Sequence, residues 1–278
     1  MIYKTIAVIL QGKEDAQRVL DCAVPLAQAW GAHIVGIHAE PIPVAYSAAV
    51  GFPDVAVIET ATQAAEERTR QVEGLFTSRM KADGQSHDWH GARSFSGDSG
   101  YACAAIARAA DLVIAAQHNP DWASDDTTGI ESVLYEAGRP VLIVPHSGAL
   151  TTSFSRVLIA WNGSREAARA AFDALPLIEE AEATEIFVVD PPAEGDDLAA
   201  SASALAAALS RHGAEVTVAT DQSRGRHIEE VIRDRAAATG ADLLVLGAYS
   251  HSWLRQLLFG GITRTVLQSM PVACLMSR

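Results

Sequence analysis

The sequence predicts an α/β protein built from two tandem doubly wound domains, each a five-stranded, mostly parallel sheet with helices on both faces. Three observations support this fold class: short continuous apolar runs, amphipathic stretches between them, and repetition of the whole pattern in the second half of the chain. Continuous apolar runs of strand length are typical of strands that are buried on both faces of a parallel sheet. Their alternation with helices indicates Rossmann-like, doubly wound topology.

The internal repeat defines the domain organisation. TIAVIL (5–10) and AHIVGIHAEPIP (32–43) flank a helical stretch in the first copy, as RVLIAW (156–161) and TEIFVVDPP (184–192) do in the second. A single shift of 131 residues also superposes four pairs in the later part of each copy: Asp111 and Asp242, Trp122 and Trp253, Gly129 and Gly260, Pro140 and Pro271. Because the polar segment 145–155 separates the copies, we expect domains at residues 1–148 and 154–278.

The remaining strands are predicted from shorter apolar runs. The third strand is expected within SHDWHGARSF (86–95) in the first copy and at AEVTVAT (214–220) in the second. The fourth strands are ADLVIAA and ADLLVLG, and the fifth are RPVLIVP and MPVACLM. The Pro- and Gly-containing segment after the second strand of the first copy is predicted to be a surface excursion.

Composition and charge exclude several classes of protein. The chain has 278 residues, 49% of them hydrophobic, and a net charge of −13. An acidic chain is unsuited to general nucleic-acid binding, and no run approaches the ~18 apolar residues that span a membrane. Cys22, Cys103 and Cys274 have no metal-ligand or redox spacing and are predicted to be small buried residues. Since the N-terminus lacks the features of a signal peptide, we expect a cytoplasmic protein.

The topology rule for such sheets selects the candidate ligand site. Ligands bind beyond the carboxyl ends of the strands, at the point where strand order reverses. In the second copy these loops contain residues 161–164, Asp190 and the segment from Gly247 onward. Their equivalents in the first copy are residues 11–13, Glu40 and residues 116–119.

The segment GAYSHSWLRQLLFGG (247–261) follows the fourth strand of the second copy and precedes the helical pattern ITRTVLQSM. Two explanations for its glycines stay open: close approach of the backbone to a ligand, or turn geometry. Two also stay open for Trp161, which either stacks on a base or packs at a strand end.

This arrangement resembles the universal stress protein family in its tandem form, over essentially the whole chain. In nucleotide-binding members of that family, the fourth strand enters a G-x2-G-x9-G-(S/T) loop that wraps the phosphates of ATP. The same spacing occurs here, with Ser250 in place of the second glycine and Gly261 in place of the final hydroxyl residue. Asn162 stands where the family has an aspartate near the ribose.

The resemblance implies that ATP or a related adenine nucleotide, with or without Mg²⁺, binds in the second copy. The expected binding residues are Ala160, Trp161, Asn162, Val189, Asp190, Leu246, Gly247, Tyr249, Ser250, His251, Gly260, Gly261, Ile262 and Thr263. Backbone N–H groups at a helix N-terminus favour an anion, so Gly261 still suits a phosphate without a hydroxyl. In the first copy only Gly129 of the loop survives, and Asp121, Asp125 and Asp126 would repel a triphosphate; that site is expected not to bind ATP.

The sequence nominates no catalytic residue and no metal ligand set. It contains no P-loop, no G-x-S-x-G and no G-x-G-x-x-G after a first strand, and His87 and His90 lack a third ligand. We therefore expect a nucleotide-binding stress or regulatory protein with at most slow, incidental ATP hydrolysis. The alternative is a nucleotide-free protein-interaction module of the same fold. An unidentified protein partner is expected, and monomer and homodimer both stay open.

Overall fold

The computed structural model describes residues 2–41, 55–94, 98–117, 119, 129–148, 150, 153–191, 198–248 and 270–278. The chain divides into two compact units. The N-terminal unit contains residues 4–116 and 120–139, and the C-terminal unit contains residues 1–3, 117–119 and 140–278.

The N-terminal unit has four strands in the order β3-β2-β1-β4, all parallel. Its described elements are β1 (Thr5–Ile9), α1 (Lys13–Trp30), β2 (His33–Pro41), α2 (Val55–Ala82), β3 (His87–Ser94), α3 (Ser99–Ala107), β4 (Leu112–Ala116) and α4 (Ile130–Glu136). Helix α1 packs against α2, and α3 packs against α4. Strand β1 lies between β2 and β4, so strand order reverses at the carboxyl end of β1.

The C-terminal unit has six strands in the order β5-β10-β9-β6-β7-β8. Its described elements are β5 (Val141–Val144), β6 (Arg156–Ala160), α5 (Arg165–Asp173), α6 (Leu175–Ile178), β7 (Ala183–Val189), α7 (Leu198–Arg211), β8 (Val216–Asp221), α8 (Ile228–Thr239), β9 (Leu243–Gly247) and β10 (Ala273–Ser277). All neighbouring pairs are parallel except β5 with β10. The reversal point lies at β6, between β7 and β9.

The predicted fold class is confirmed, but the expectation of five strands in each sheet is not. The fifth strand of the first copy belongs to the C-terminal unit, which leaves four strands in one unit and six in the other. The physical reason is the antiparallel pairing of β5 with β10, in which the fully buried Leu142 and Leu275 face each other. Strand β10 is therefore hydrogen-bonded on both sides, to β5 and to β9.

Local sequence explains where the elements begin and end. Strands β4 and β9 are continuous apolar runs with almost every residue buried. Helices α1 and α8 end at Gly31 and Gly240, which adopt the left-handed conformation that glycine tolerates best. Helix α3 begins at Asp98 and α5 at Ser164, whose side chains accept hydrogen bonds from backbone N–H groups of the first turn.

The three cysteines are buried and unpaired, as the sequence predicts. Burial raises the pKa of the Cys22 thiol to about 12, and burial together with the charge of Asp98 raises that of Cys103 to about 12. These thiols are therefore protonated at neutral pH and act as small apolar side chains.

Candidate functional site

A cavity of about 70 Å³ lies at the carboxyl ends of three neighbouring strands of the C-terminal unit, against helix α8. The sequence-nominated residues that line it are Ala160, Trp161, Asn162, Val189, Leu246 and Gly247. They come from the ends of β6, β7 and β9, which the parallel pairing brings to one edge of the sheet. The cavity therefore lies where the topology rule for doubly wound sheets places a ligand.

The apolar wall of this cavity comes from residues that the sequence reasoning missed. Phe187 lies in β7, and Ile228 and Ile232 lie one helical turn apart on α8. The guanidinium of Arg235 lies 5.4 Å from the centre of the Phe187 ring, within cation–π distance. The i, i+4 spacing of the two isoleucines indicates a shared helix face in the sequence. The topology rule considers only the loops that follow the strands and therefore does not select them.

Arg235 is itself fixed by a carboxylate. It donates to both oxygens of Glu185, from Nε at 2.7 Å and from an η nitrogen at 2.6 Å. This bidentate contact holds the guanidinium in a defined position. This ion pair joins β7 to α8, the two elements that form the apolar wall of the cavity.

Trp161 is packed into the unit. It is 8% exposed, and its indole N–H donates to Ser201 Oγ on α7 at 3.0 Å. Its backbone N–H donates to the carbonyl of Phe187 at 2.9 Å. Of the two open interpretations for this tryptophan, packing at a strand end accounts for both hydrogen bonds, and the residue also lines the cavity.

Asn162 helps to form the turn into helix α5. Its Oδ1 accepts a hydrogen bond from the backbone N–H of Ser164 at 3.1 Å. Ser164 Oγ in turn accepts from the N–H of Ala167 at 3.1 Å and caps the helix. Gly163 lies between them with φ of 72°, a conformation that side-chain-bearing residues rarely adopt.

A buried carboxylate lies at the start of the same helix. Glu166 accepts a hydrogen bond at 2.6 Å from Nε of the exposed Arg165. Burial alone would raise the pKa of Glu166, but hydrogen bonds led by that from Arg165 outweigh it and lower the pKa. The side chain is therefore charged at neutral pH beside the strand ends.

Gly247 is approached closely by the protein's own backbone. A Cβ atom placed there would lie 2.4 Å from the backbone nitrogen of Ala167 and 2.6 Å from the carbonyl carbon of Glu166. Both atoms belong to the first turn of α5. At this position the need for glycine is explained by packing of β9 against α5.

Asp190 lies beside the cavity and is not among its lining residues. It adopts a left-handed conformation with φ of 52° immediately after β7. Its carboxylate accepts from the backbone N–H of Ser223 at 2.6 Å. Hydrogen bonds from the Ser223 side chain and backbone lower the pKa of this exposed carboxyl, so it is charged at neutral pH.

The other nominated residues lie outside the described part of the chain: Tyr249, Ser250, His251, Gly260, Gly261, Ile262 and Thr263. Within the described residues, no group of three or more His, Cys, Asp or Glu side chains could hold a metal ion. Among those same residues, no helix has the length and apolarity needed to cross a membrane.

Carboxylates of the N-terminal unit accept hydrogen bonds at the starts of its helices. Asp15 accepts from the backbone N–H groups of Gln11 and Gly12 at 2.8 and 2.5 Å. Asp98 accepts from the N–H of Gly100 at 2.9 Å and from the hydroxyl of Ser132, which ties the starts of α3 and α4 together.

The chain matches one protein family twice. The model of the universal stress protein family matches residues 2–145 and again residues 153–278. No curated protein matches the sequence.

Solved structures give the same fold. A universal stress protein from Archaeoglobus fulgidus is 19% identical, with a TM-score of 0.70 over 98% of this chain and 96% of that one. A putative universal stress protein from Pseudomonas aeruginosa is 17% identical, with a TM-score of 0.61 over 99% of this chain and 93% of that one. A functionally unknown protein from P. aeruginosa is 16% identical, with a TM-score of 0.60 over 99% and 92% of the two chains.

Proposed function

Because the chain belongs to the universal stress protein family, in a tandem form with two copies, we propose that it is a stress-response or regulatory protein that binds ATP or a related adenine nucleotide in its C-terminal copy. The observation that carries this proposal is the cavity at the ends of β6, β7 and β9, in which six independently nominated residues come together. We propose domains at residues 1–148 and 154–278.

The cavity suits the base of a nucleotide. Its volume of about 70 Å³ is well below the ~300–1,000 Å³ typical of sites that enclose a whole small ligand. Its wall of Phe187, Ile228 and Ile232 is apolar, which favours the faces of a planar heterocycle. The ribose and phosphates would extend beyond the strand ends, where the family motif assigns them to the segment from Gly247 to Thr263.

Polar groups at the mouth of the cavity suit a ribose. Asp190 is a charged acceptor, and Asn162 offers an amide in place of the family's aspartate. Replacement of a carboxylate by an amide keeps hydrogen bonding and loses the charge-assisted part of its strength. We therefore expect weaker nucleotide binding than a complete motif would give.

We propose binding rather than turnover as the activity, since no residue at the described strand ends is arranged as a nucleophile with its base. A protein partner would recognise the nucleotide-bound form. We also propose a cytoplasmic protein. Pairing of two chains into a homodimer is part of the same proposal.

One observation favours the alternative, a nucleotide-free interaction module of the same fold. The contact between Gly247 and α5 accounts for one glycine of the loop without any ligand. If packing or turn geometry explained every glycine of the loop, the spacing of these glycines would give no support to nucleotide binding. The test below distinguishes the two.

Calorimetric titration with ATP, with and without Mg²⁺, tests the proposal on the full chain. Ile228→Trp fills the base cavity from its rim, where the native side chain is only half-buried, so the fold is expected to tolerate it. Ile106→Trp is the matched control, because Ile106 is a half-buried isoleucine on the corresponding helix of the first copy. Gly260→Asp places a negative charge in the proposed phosphate loop.

We expect micromolar binding by the native chain and by Ile106→Trp, and its loss in Ile228→Trp and Gly260→Asp. Absence of heat at millimolar ATP in the native chain would support the interaction module. Equal losses in both tryptophan variants would place the nucleotide elsewhere.

A further inference from the structure

A second and larger cavity lies in the N-terminal unit, between helix α2 and the carboxyl ends of β2 and β3. Its volume is about 350 Å³, within the range of small-molecule sites at ~300–1,000 Å³. We refer to it as the α2 pocket; its walls include Glu40, Thr62, Ala65, Thr69, Gly91 and Arg93. The register pairs Glu40 with Arg93, so both strands reach the pocket near their carboxyl ends.

Small side chains create this space. Ala65 on α2 and Gly91 and Ala92 on β3 all line the pocket. A Cβ at Gly91 would make only an ordinary contact, 3.5 Å from Thr69 Cγ2. The absence of a side chain at Gly91 therefore leaves space in the pocket that the surrounding packing does not require.

The inner wall carries a carboxylate that is held rigidly. Glu40 is 5% exposed. Arg68 donates to it from Nε at 2.9 Å and from an η nitrogen at 2.7 Å, and His38 Nε2 lies 3.1 Å from its Oε1. A carboxylate accepts about four hydrogen bonds, and the described residues account for three of them.

The rest of the wall offers both donors and acceptors. Arg93 makes one hydrogen bond among the described residues, to Glu66 Oε1 at 2.7 Å, whereas a guanidinium has five N–H donors. Thr62 and Thr69 donate their hydroxyl protons to backbone carbonyls of α2, which leaves the hydroxyl oxygens as acceptors. Arg70, which also lines the pocket, is already paired with Glu67 at 2.8 Å.

Each charged group of the pocket is balanced by an opposite charge: Glu40 by Arg68, Glu66 by Arg93, and Arg70 by Glu67. The described charges of the pocket thus cancel in pairs, and a charged ligand would add a charge with no partner of its own, whereas hydroxyl groups can both donate to the carboxylates and accept from the guanidinium groups. We propose that the α2 pocket is a binding site for a neutral polyhydroxylated molecule of the monosaccharide or polyol class. This site is separate from the proposed nucleotide site and does not depend on it.

Three pyranose probes test the charge requirement: glucose, which is neutral, glucuronate, which is anionic, and glucosamine, which is cationic. Each is titrated into the isotope-labelled full chain without nucleotide, and backbone amide resonances are followed by NMR. We expect glucose to shift resonances of residues 62–70 and 91–93, and the two charged probes to bind several-fold more weakly.

Two matched variants locate the site. Ala65→Leu fills the pocket from α2, and Ala64→Leu makes the same change at the neighbouring exposed position, which does not line it. Leucine favours helix at both positions, so both variants should fold. Glucose binding should be lost in Ala65→Leu and kept in Ala64→Leu.

Three results would overturn the proposal. The first is the absence of resonance shifts with all three probes. The second is tighter binding of glucuronate or glucosamine than of glucose, which would assign the pocket to a charged ligand. The third is an unchanged glucose response in Ala65→Leu, which would place the binding elsewhere.

Discussion

The two copies place different chemistry at equivalent strand ends. In the first copy, Glu40 lies near the carboxyl end of the second strand, β2, and is buried against Arg68. Its counterpart Asp190 in the second copy has left β7, adopts a left-handed conformation and is exposed. One acidic residue therefore stabilises the packing of a helix, while the other is presented to solvent beside an apolar cavity.

The same contrast holds at the helix starts. Carboxylates of Asp15 and Asp98 occupy backbone N–H groups that would otherwise face a ligand in the first copy. In the second copy, α5 is capped by the hydroxyl of Ser164, with the charged Glu166 in its first turn. His227 precedes α8 without a side-chain cap, and the first turn of α8 carries Glu229 and Glu230. The copies therefore differ in the group that caps these helices, a carboxylate in the first and a hydroxyl in the second, whereas acidic residues occur in the first turns of helices in both.

The largest expected effect concerns the ends of the fourth strands. Gly247→Ala should destabilise the C-terminal unit by about 3 kcal/mol, because the new Cβ meets the backbone of α5. The first copy already has alanine at this position, so Ala116→Gly should cost only about 0.5–1 kcal/mol. Urea unfolding monitored by circular dichroism measures both changes.

Similar losses in the two variants would show that β9 and β4 are equally tolerant of a side chain. The difference between the copies at this position would then have no packing cause. The glycine would have to be explained by the loop that follows it.

The second prediction removes the charge of Glu40. Glu40→Gln should lower the free energy of unfolding at neutral pH by about 2 kcal/mol, since hydrogen bonds to a charged group are lost in a buried place. We expect no larger loss of stability, because the Arg68 side chain is 45% exposed and solvent screens its charge. Glu67→Gln is the control, an exposed carboxylate on the same helix, and should have a much smaller effect.

The pH dependence of this difference follows from the pKa of Glu40. Burial would raise that pKa, but hydrogen bonds from His38 and Arg68 outweigh it and lower it below the ordinary value. The stabilisation is therefore complete above the unfolded pKa of about 4.3 and is lost as pH falls through the folded value. The stabilities of the native chain and of Glu40→Gln should converge as pH falls through the folded pKa of Glu40; a constant difference would contradict a charge-based origin.

Most of the fold could be predicted from local sequence, because strand runs such as LLVLG and helix caps such as Asp98 act over a few residues. Two features could not, since they join distant positions. Trp161 donates to Ser201 on α7, and Gly247 meets the start of α5. Likewise, the rule that ligands bind beyond the strand ends predicts the residues at the rim of the cavity. It does not predict Phe187 and Ile232, because their place in the cavity wall depends on how α8 packs on β7.

The smallest expected effect compares the residues that precede α3 and α8. Asp98→Ala removes the cap to Gly100 and the link to Ser132, and should cost about 1 kcal/mol. His227→Ala removes an exposed residue that makes no side-chain cap, and should change stability by less than about 0.5 kcal/mol. Thermal unfolding of both variants measures the difference. Equal effects would mean that the carboxylate at Asp98 does not stabilise the first copy, and that its place at the helix start needs another explanation.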